Sequence, residues 1–590
     1  MTEEILKNIN NWGKKPFDKK TIQELNILKK NHSELHDSFY KNLEFGTGGM
    51  RGIMGVGTNR INKYTIGKNT QGISNFINNQ QNISKKVVIA FDCRKNSDIL
   101  AKIVADVFSA NGIKVYLFSS LRPTPELSYA VRKLNCTCGI VLTASHNPPK
   151  YNGYKVYWSD GGQIVPPIDK KLISEIEKIQ FEEVKFNANN SLIEIIEQEF
   201  DNEFIKLCLT TGLNKEIISR KENKIVFTAL HGTSSVIMPR LLKKAGYLNA
   251  KFEKSQMSPD GNFSTVKSPN PEEIESMDLA LKLANLENAE MVIGTDPDAD
   301  RLGVAVRDLD DNLVLINGNQ LMIVVFDYLL KLKSKNEELN KDYFIASTIV
   351  STPMIKKIAL NYNVDCKLSL TGFKWIAKMI EDFPNQKFIA GGEESYGLMI
   401  GDEVRDKDAI TASLLAYEMM SFYKQNNTSV FHQLIKLYIK YGFYKEKLIS
   451  IVKEGQKGQK EINDIIEHFR KTPLGFIGES KVKYVCDYQK SIKKNILTQK
   501  TETIELPKSN VIEFESIDGY KLILRPSGTE PKIKMYISVN SKIQTISEFK
   551  EVNLMLDAKL NEIVSKINLW KKITSIEFFP THGFLENILS

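Results

Sequence analysis

Short apolar runs alternate with amphipathic stretches along most of this chain of 590 residues. The runs 87–91, 114–118 and 139–142 are short and apolar, which predicts strands. The stretch 99–110 lies between the first two and has apolar side chains at helical spacing, which predicts an amphipathic helix. Strands that alternate with helices in this way form a sheet with helices on both faces.

The same alternation restarts at 224–229 and again at 344–350, which predicts three successive α/β units. Each unit has a polar loop directly after a strand, where open α/β sheets bind ligands. Residues 452–506 are charged and irregular, and we interpret them as a linker with the start of a last domain. That last unit has predicted strands and one amphipathic helix, typical of an α+β domain: 520–524, 532–538 and 546–570.

The length of the chain agrees with this organisation. At roughly 150 residues per domain, about four domains are expected, each large enough to bury a core. The first 40 residues are polar and helix-prone, with one apolar stripe at Ile22, Leu25 and Leu28. We predict the following domain segments: 1–205, 206–318, 319–455 and 456–590.

Composition excludes several classes of protein. Apolar residues make up 42% and charged residues 26% of the chain, as in ordinary globular proteins. The net charge of +9 comes from basic residues scattered among acids, so we expect no nucleic-acid partner. Neither a signal peptide nor a membrane-spanning run is recognisable, which predicts a cytoplasmic protein without membrane association. Cys136 and Cys138 lie in a strand-like stretch and are expected to be buried and reduced.

The run Thr143-Ala144-Ser145-His146-Asn147-Pro148 follows the strand predicted at 139–142. It places Ser145 before a rigid turn, where its hydroxyl can face a cleft and accept a phosphoryl group. A polar turn without function is the simpler interpretation of such a Ser-His pair. Three further motifs favour the functional interpretation.

The second motif, Asp296-Pro297-Asp298-Ala299-Asp300-Arg301, alternates carboxylates with small or rigid residues after a predicted strand. Alternate side chains project the same way, so the three carboxylates can converge on one divalent cation. An EF-hand is excluded, because Arg301 and Arg307 stand where that loop needs Gly and Glu. An aspartyl-nucleophile phosphotransferase remains a minor alternative. A charged surface turn is a weak one, because the acids repel one another without a cation.

The third and fourth motifs offer anion and sugar recognition. Arg525-Pro526-Ser527-Gly528-Thr529 provides a guanidinium fork, hydroxyl donors and a turn whose N–H groups can face a phosphate. Gly391-Gly392-Glu393-Glu394-Ser395 follows another predicted strand, where Glu393 can accept two sugar hydroxyls and Ser395 can reach a third. Each motif alone could also be an ordinary turn.

Taken in their order along the chain and at domain-sized separations, the four motifs resemble those of the α-D-phosphohexomutase superfamily. The chain length and the opening at 45–52 are similar to its phosphoglucomutase-2 branch, whose members isomerise glucose or pentose phosphates. The resemblance begins near residue 45 and covers nearly the whole chain. Pro297 replaces a glycine common in relatives, which leaves the carboxylate positions intact. The resemblance implies mixed sheets in three α/β domains and a C-terminal α+β domain, arranged around a central cleft.

The resemblance also implies a reaction and its cofactors. Glucose 1-phosphate and glucose 6-phosphate would interconvert through a phosphoserine at Ser145 and a bisphosphorylated sugar. One Mg²⁺ per subunit would be held by the three aspartates together with Ser145, and a sugar bisphosphate would act as activator. The four segments would then be, in order, the phosphoserine domain, the metal-loop domain, the sugar-recognition domain and the phosphate-clamp domain. Small sugar phosphates are the expected partners.

Further roles rest on the resemblance. Lys155 is the expected acid/base group, which requires a depressed pKa from partial burial or from nearby Arg301. His146 is the alternative acid/base group, or it orients the phosphoserine. Arg51 and Arg301 would bind the reacting phosphate. A purely structural role for Arg51, in which it stabilises its loop, remains a serious alternative. Further expected substrate contacts are Thr371, Gly372, Lys374 and Lys407. His231 follows another strand, but no role is assigned to it.

Two other classes of function stay open. A metal-dependent phosphatase could use the same groups, although it has no need for the clamp at Arg525. A catalytically silent paralogue is disfavoured by the intact Ser145, aspartates and Lys155. The sequence does not separate glucose from mannose or pentose phosphates, and it leaves the oligomeric state unknown.

Overall fold

The computed structural model describes residues 1–46, 48–453, 455–527 and 532–567. Its strands form four sheets, three of which have helices packed beside parallel strands. The predicted fold class, three α/β domains with mixed sheets and a C-terminal α+β domain, is confirmed. Within these described ranges, every helix is too short or too polar to cross a membrane.

The chain begins with three short helices, each capped by a side chain at its N-terminus: α1 (Glu3–Asn11), α2 (Lys19–Leu28) and α3 (His32–Phe39). Trp12 is the centre of their core, stacked on Phe17 at 4.3 Å between ring centroids and edge-on to Phe39 at 5.6 Å. Tyr64 of the first α/β domain joins the same cluster, at 5.8 Å from Trp12. The extension therefore shares a core with the domain that follows it.

The first sheet is formed by six strands: β1 (Gly49–Ile53), β2 (Lys86–Phe91), β3 (Lys114–Phe118), β4 (Cys138–Leu142), β5 (Tyr151–Trp158) and β6 (Ile193–Ile196). Helices flank it: α4 (Lys63–Asn79), α5 (Ser97–Ala110), α6 (Thr124–Lys133), α7 (Ile168–Lys178) and α8 (Gln198–Gly212). The strand order is β1-β5-β4-β2-β3-β6, in which β5 is antiparallel to its two neighbours, β1 and β4, and the pairs β4–β2, β2–β3 and β3–β6 are parallel. Apolar clusters cover both faces, as helices on both sides require.

The second sheet has five strands: β7 (Ile225–Thr228), β8 (Ala250–Phe252), β9 (Met291–Thr295), β10 (Leu302–Arg307) and β11 (Leu313–Ile316). Its helices are α9 (Ser234–Ala245) and α10 (Ile274–Glu287). The order is β11-β10-β9-β7-β8, with β7, β8 and β9 parallel. The sharp turn between β9 and antiparallel β10 carries the three aspartates.

The third sheet has four strands: β12 (Tyr343–Thr348), β13 (Asp365–Ser369), β14 (Lys387–Glu393) and β15 (Gly397–Ile400). Five helices accompany it: α11 (Gly318–Asn336), α12 (Met354–Asn361), α13 (Phe373–Asp382), α14 (Ala409–Gln425) and α15 (Val430–Tyr441). Helix α14 is buried along most of its length and packs on α8, α9 and β9 of the preceding domains. This buried helix joins the second and third domains.

The last sheet is antiparallel and has eight strands: β16 (Phe443–Val452), β17 (Phe476–Ile477), β18 (Ser480–Asp487), β19 (Ile492–Asn495), β20 (Thr501–Thr503), β21 (Ile512–Ser516), β22 (Lys521–Pro526) and β23 (Lys532–Ser541). Its helices are α16 (Gly455–Lys471) and α17 (Phe549–Lys566). Strand β16 pairs with β23, so this sheet begins before residue 456. The predicted boundary after residue 205 falls within α8, and the domain segments stay predictions.

The interpretation of 452–506 as a linker with the start of a last domain is wrong in its linker part, because the segment is folded and its helix packs on the last sheet. Helix α16 and strands β17 to β20 occupy most of this segment. The helix buries Ile462, Ile465, Ile466 and Phe469, which recur at the spacing of one helical face. Its many charged residues lie on the other positions and conceal this apolar stripe. The helix predicted at 546–570 is confirmed as α17, and residues 568–570 lie outside the described part of the chain.

Candidate active site between the first two domains

Ser145 lies three residues beyond the end of β4, at the carboxyl edge of the parallel strands. Its φ of +51° is in the left-handed region, which is uncommon for a residue with a side chain. The Thr143 hydroxyl oxygen accepts the Ser145 N–H at 2.8 Å, and Ser145 is 2% exposed. The loop therefore holds this serine in one defined position.

Arg94 supports that position, and sequence reasoning missed it. Its buried guanidinium donates to the carbonyl oxygens of Pro148 and Tyr151, each at 3.0 Å, and to those of Ser145 and Asn147. Asp92 forms an ion pair with Arg94 at 3.3 Å. Both residues directly follow β2, which neighbours β4. The sequence signal that could have identified Arg94 is a pair of opposite charges, Asp92 and Arg94, just after a predicted buried strand.

The three aspartates form one buried group. Their carboxylate oxygens lie within 4.8 Å of one another, and none of the three residues is more than 2% exposed. One oxygen of Asp296 accepts the backbone N–H groups of Asp300 and Arg301, each at 3.0 Å. These two hydrogen bonds close the turn, so that the alternating carboxylates face inward as predicted.

The loop of Ser145 and the aspartate turn meet, although they follow strands of different sheets. The Ser145 hydroxyl donates to the second oxygen of Asp296 at 2.6 Å, across 151 positions of sequence. Burial and the neighbouring carboxylates of Asp298 and Asp300 raise the pKa of Asp296 well above its usual value. The serine hydroxyl is thus placed at the edge of a concentrated negative charge.

Two lysines balance that charge. The Lys155 amine contacts Asp298 at 2.6 Å and Asp300 at 2.9 Å, and the Lys407 amine contacts Asp300 at 3.1 Å. Burial raises the pKa of Asp300, but Lys155, Lys407 and Arg301 outweigh it and hold that pKa well below the usual range. Lys407, predicted as a substrate contact, lies inside the carboxylate group and also contacts Asp406 at 3.3 Å.

The expectation of a depressed pKa for Lys155 is wrong for this arrangement. Burial lowers that pKa, but Asp298 and Asp300 raise it more, and the pKa ends well above its usual value. The expectation counted burial and Arg301 but not these two carboxylates. A cation bound by the same carboxylates would neutralise them and reverse this effect.

The group fits a hard divalent cation. Asp298 and Asp300 each have one buried oxygen, Oδ1, that accepts no hydrogen bond from the part of the chain that the structure describes. Buried charged oxygens of this kind need a partner, and an all-oxygen donor set suits Mg²⁺. The three carboxylates could therefore hold a metal ion.

His146 and Arg51 flank the serine. The Nδ1 atom of His146 is 3.3 Å from the Ser145 hydroxyl. Burial, together with the charges of Arg301 and Arg51, lowers the pKa of His146 well below its usual value, which favours a neutral ring. Arg51 is exposed on β1 and donates to the Asn147 side-chain oxygen at 3.1 Å.

Arg301 and His231 belong to the second domain. The Arg301 guanidinium pairs with Glu272 at 2.8 Å, a partner that sequence reasoning did not identify. His231 is buried, with its ring nitrogens 3.0 Å from the Ser258 carbonyl oxygen and 2.8 Å from the Thr265 hydroxyl. These contacts hold the loop after β8 and give His231 a structural role.

Two of the segments predicted to contact the sugar lie together in the third domain. Glu393 ends β14 and accepts the Gly372 N–H at 2.8 Å. The Thr371 hydroxyl is buried, and within the described ranges it has no hydrogen-bond partner. Burial lowers the pKa of Lys374 to about 8, against the opposing charge of Asp169. Ser395 is partly buried in the turn between β14 and β15.

The predicted phosphate clamp faces this turn. Arg525 lies near the end of β22 and donates to the Tyr536 hydroxyl at 3.3 Å. Burial and Glu393 raise the pKa of Glu394 to about 7, while Lys534 and Arg525 oppose the rise. The Ser527 N–H donates to the Lys532 carbonyl oxygen at 2.7 Å. Gly528 and Thr529, the other predicted members of the clamp, lie outside the described residues.

Comparison with known proteins agrees with the first three of these domains. Models of the phosphoglucomutase/phosphomannomutase alpha/beta/alpha domains I, II and III match residues 42–183, 202–309 and 317–438. The chain belongs to this family. The resemblance inferred from the four motifs is confirmed, and the expected class of enzyme, an intramolecular phosphotransferase, is that of the family.

Individual relatives support the assignment over most of the chain. A phosphoglucomutase from Staphylococcus aureus (strain MRSA252) is 39% identical over 513 residues, covering 86% of this chain and 91% of that protein. A putative phosphomannomutase structure from Thermus thermophilus has a TM-score of 0.65 at 19% identity, covering 88% of this chain and 99% of its own. Parafusin from Paramecium, in an open form, has a TM-score of 0.65 at 18% identity, covering 92% and 97%. These two structures show the shared fold.

Proposed function

We propose that this protein is a phosphoglucomutase that interconverts α-D-glucose 1-phosphate and glucose 6-phosphate. The observation that carries the proposal is the 2.6 Å hydrogen bond from the Ser145 hydroxyl to Asp296, within a buried group of three carboxylates. A serine held there is suited to carry a phosphoryl group between the two hydroxyls of one sugar. The 39% identity to a phosphoglucomutase supports glucose phosphates as substrates.

Magnesium is the proposed cofactor. Asp296, Asp298 and Asp300 would hold one Mg²⁺ per subunit, with the phosphoryl oxygen on Ser145 as a further ligand. The ion would neutralise the negative charge on the phosphoryl group that is transferred. The buried Oδ1 atoms of Asp298 and Asp300 support this role, because neither accepts a hydrogen bond from the described residues.

The protein's own residues would manage the proton and the reacting phosphate. Lys155 is the proposed acid/base group, because its amine already lies beside the carboxylates that surround the serine. A neutral His146, 3.3 Å from the serine hydroxyl, would orient that oxygen. Arg51 and Arg301 would bind the phosphoryl oxygens as planar guanidinium donors.

The sugar and its second phosphate would be held by the third and fourth domains. Glu393 and Ser395 would accept and donate to ring hydroxyls, with Thr371, Gly372, Lys374 and Lys407 nearby. Arg525, Ser527, Gly528 and Thr529 would bind the phosphate that is not reacting. A bisphosphorylated sugar would turn over within the site, and the same compound would activate the enzyme by phosphorylating Ser145. A cytoplasmic location suits these soluble substrates.

Phosphorus NMR tests this function. Wild-type protein with Mg²⁺, glucose 1-phosphate and a trace of glucose 1,6-bisphosphate should form glucose 6-phosphate without accumulating inorganic phosphate. Inorganic phosphate released in step with substrate loss would instead establish a phosphatase. Comparison of kcat/KM for glucose 1-phosphate, mannose 1-phosphate and ribose 1-phosphate decides whether a phosphomannomutase or phosphopentomutase describes the protein better.

A further inference from the structure

Thr124 contacts the central aspartate of the metal loop twice. Its side-chain hydroxyl donates to Asp298 Oδ2 at 3.1 Å, and its backbone N–H donates to the Asp298 carbonyl oxygen at 2.9 Å. Thr124 belongs to the first domain and Asp298 to the second, 174 positions apart. One residue of the nucleophile domain therefore fixes both the backbone and the carboxylate of a residue in the metal loop.

Thr124 is itself rigidly held. It is fully buried and begins α6, between Pro123 and Pro125, whose rings restrict the backbone at this point. Arg122, two residues before it, pairs with Asp201 at 2.7 Å, and Asp201 also pairs with Arg240 at 2.6 Å. These buried ion pairs attach the start of α6 to α8 and α9.

The contact leaves a free oxygen where a cation needs one. Asp298 Oδ2 accepts hydrogen bonds from Thr124 and from Lys155, at 3.1 and 2.6 Å. Asp298 Oδ1 is buried and has no hydrogen-bond partner among the described residues. The Thr124 hydroxyl thus fixes the rotation of the carboxylate, with one oxygen bound to protein and the other left for a ligand.

We infer that Thr124 is a positioning residue for magnesium, which orients the Asp298 carboxylate across the junction of the first two domains. The inference rests on the proposed function, in which Asp298 is a Mg²⁺ ligand. Hydrogen bonds that orient metal ligands are typically worth about 10- to 100-fold in metal affinity. Because Thr124 also lies in the domain of Ser145, it sets the position of the metal loop relative to the nucleophile.

Magnesium titration tests this role without relying on turnover. Isothermal titration calorimetry with MgCl₂, in the absence of sugar phosphate, is carried out on wild type, Thr124→Val and Thr124→Ser. Thr124→Val keeps the shape but removes the hydroxyl, and we expect its Mg²⁺ affinity to fall by about tenfold or more. Thr124→Ser restores the hydroxyl and should recover most of the affinity. The Mg²⁺ concentration for half-maximal activity should shift in parallel, with a smaller change in the KM for sugar phosphate.

Thr137→Val is the matched control. Thr137 is also buried in the first domain, and it directly precedes β4, at the opposite end of that strand from Ser145. Its hydroxyl donates to the Ser84 carbonyl oxygen. This control should lower stability without changing Mg²⁺ affinity. If Thr124→Val does not fold, Thr124→Ala is used in its place, because it also removes the hydroxyl. Thermal unfolding shows whether each variant is folded.

The outcomes separate the inference from the function beneath it. A wild type that binds no Mg²⁺ contradicts the proposed metal site itself. A wild type that binds Mg²⁺ and a folded Thr124→Val or Thr124→Ala that binds it equally well overturns the role of Thr124 alone. An equal loss in Thr137→Val, or no recovery in Thr124→Ser, overturns it as well, because the effect would then reflect general destabilisation.

Discussion

At the scale of single residues, Ser145 combines burial, a positive φ and a hydrogen bond to Asp296. A strained backbone of this kind costs about 1–3 kcal/mol and persists only where its surroundings hold it. The Arg94 contacts to four carbonyl oxygens of the loop provide that support. The serine is therefore positioned by the loop as well as by its carboxylate partner.

Replacement of Ser145 tests the nucleophile. Ser145→Ala should abolish mutase turnover while leaving folding and sugar-phosphate binding nearly intact, because only the accepting oxygen is lost. Intact-mass analysis of the wild type should reveal a phosphorylated species that maps to Ser145. Near-normal activity in the variant, with phosphate on Asp296, would favour the aspartyl-nucleophile alternative.

Replacement of Asp298 tests the cation site. Asp298→Asn removes one carboxylate from an all-oxygen group, so activity should fall by orders of magnitude, about 10²-fold or more. A chelator should inhibit the wild type, and added Mg²⁺ should restore it. Full activity of the wild type in excess chelator would contradict a metal requirement.

Sequence reasoning found the residues whose chemistry is visible in a local motif. Ser145 and the three aspartates each follow a predicted strand, and alternation alone predicted that the carboxylates converge. Arg94 and Thr124 were missed, because their roles depend on contacts across 54 and 174 positions respectively. No spacing within a short window carries such information.

At the scale of elements, the N-terminal extension provides a test of packing. Trp12 is 1% exposed and contacts Phe17, Phe39 and Tyr64. Trp12→Ala should lower the free energy of unfolding by about 3–5 kcal/mol, because a large buried ring is replaced by a cavity. Chemical denaturation followed by circular dichroism measures the loss. Trp12→Phe is the milder control, and an equal loss in both variants would contradict a volume effect.

The elements were predicted best where apolar runs are short and bounded by polar turns. Strand β3 has the predicted bounds, and β2 and β4 differ from prediction by one residue. Helix α16 was missed because its charged residues outnumber its buried positions, so its composition resembles that of a linker. Its stripe from Ile462 to Phe469 was nevertheless present at helical spacing.

At the scale of the whole molecule, the clamp separates a mutase from a phosphatase. Arg525 lies in the fourth domain, close to the Glu393–Glu394 turn of the third. Arg525→Ala should raise KM, lower kcat and increase the bisphosphorylated sugar released per turnover, because the second phosphate loses its main charge partner. Phosphorus NMR of wild type and variant measures both products. An unchanged amount of released bisphosphate would contradict the clamp.

The distance in sequence between Ser145 and Asp296 has a consequence for fragments of this protein. A piece containing only the first α/β domain would keep the serine, Arg94 and the whole loop around them. It would lack all three carboxylates, and Lys155 would lose its partners. In such a fragment the Ser145 hydroxyl would have no Asp296 carboxylate to donate to, so the proposed reactivity would require the two domains to be joined.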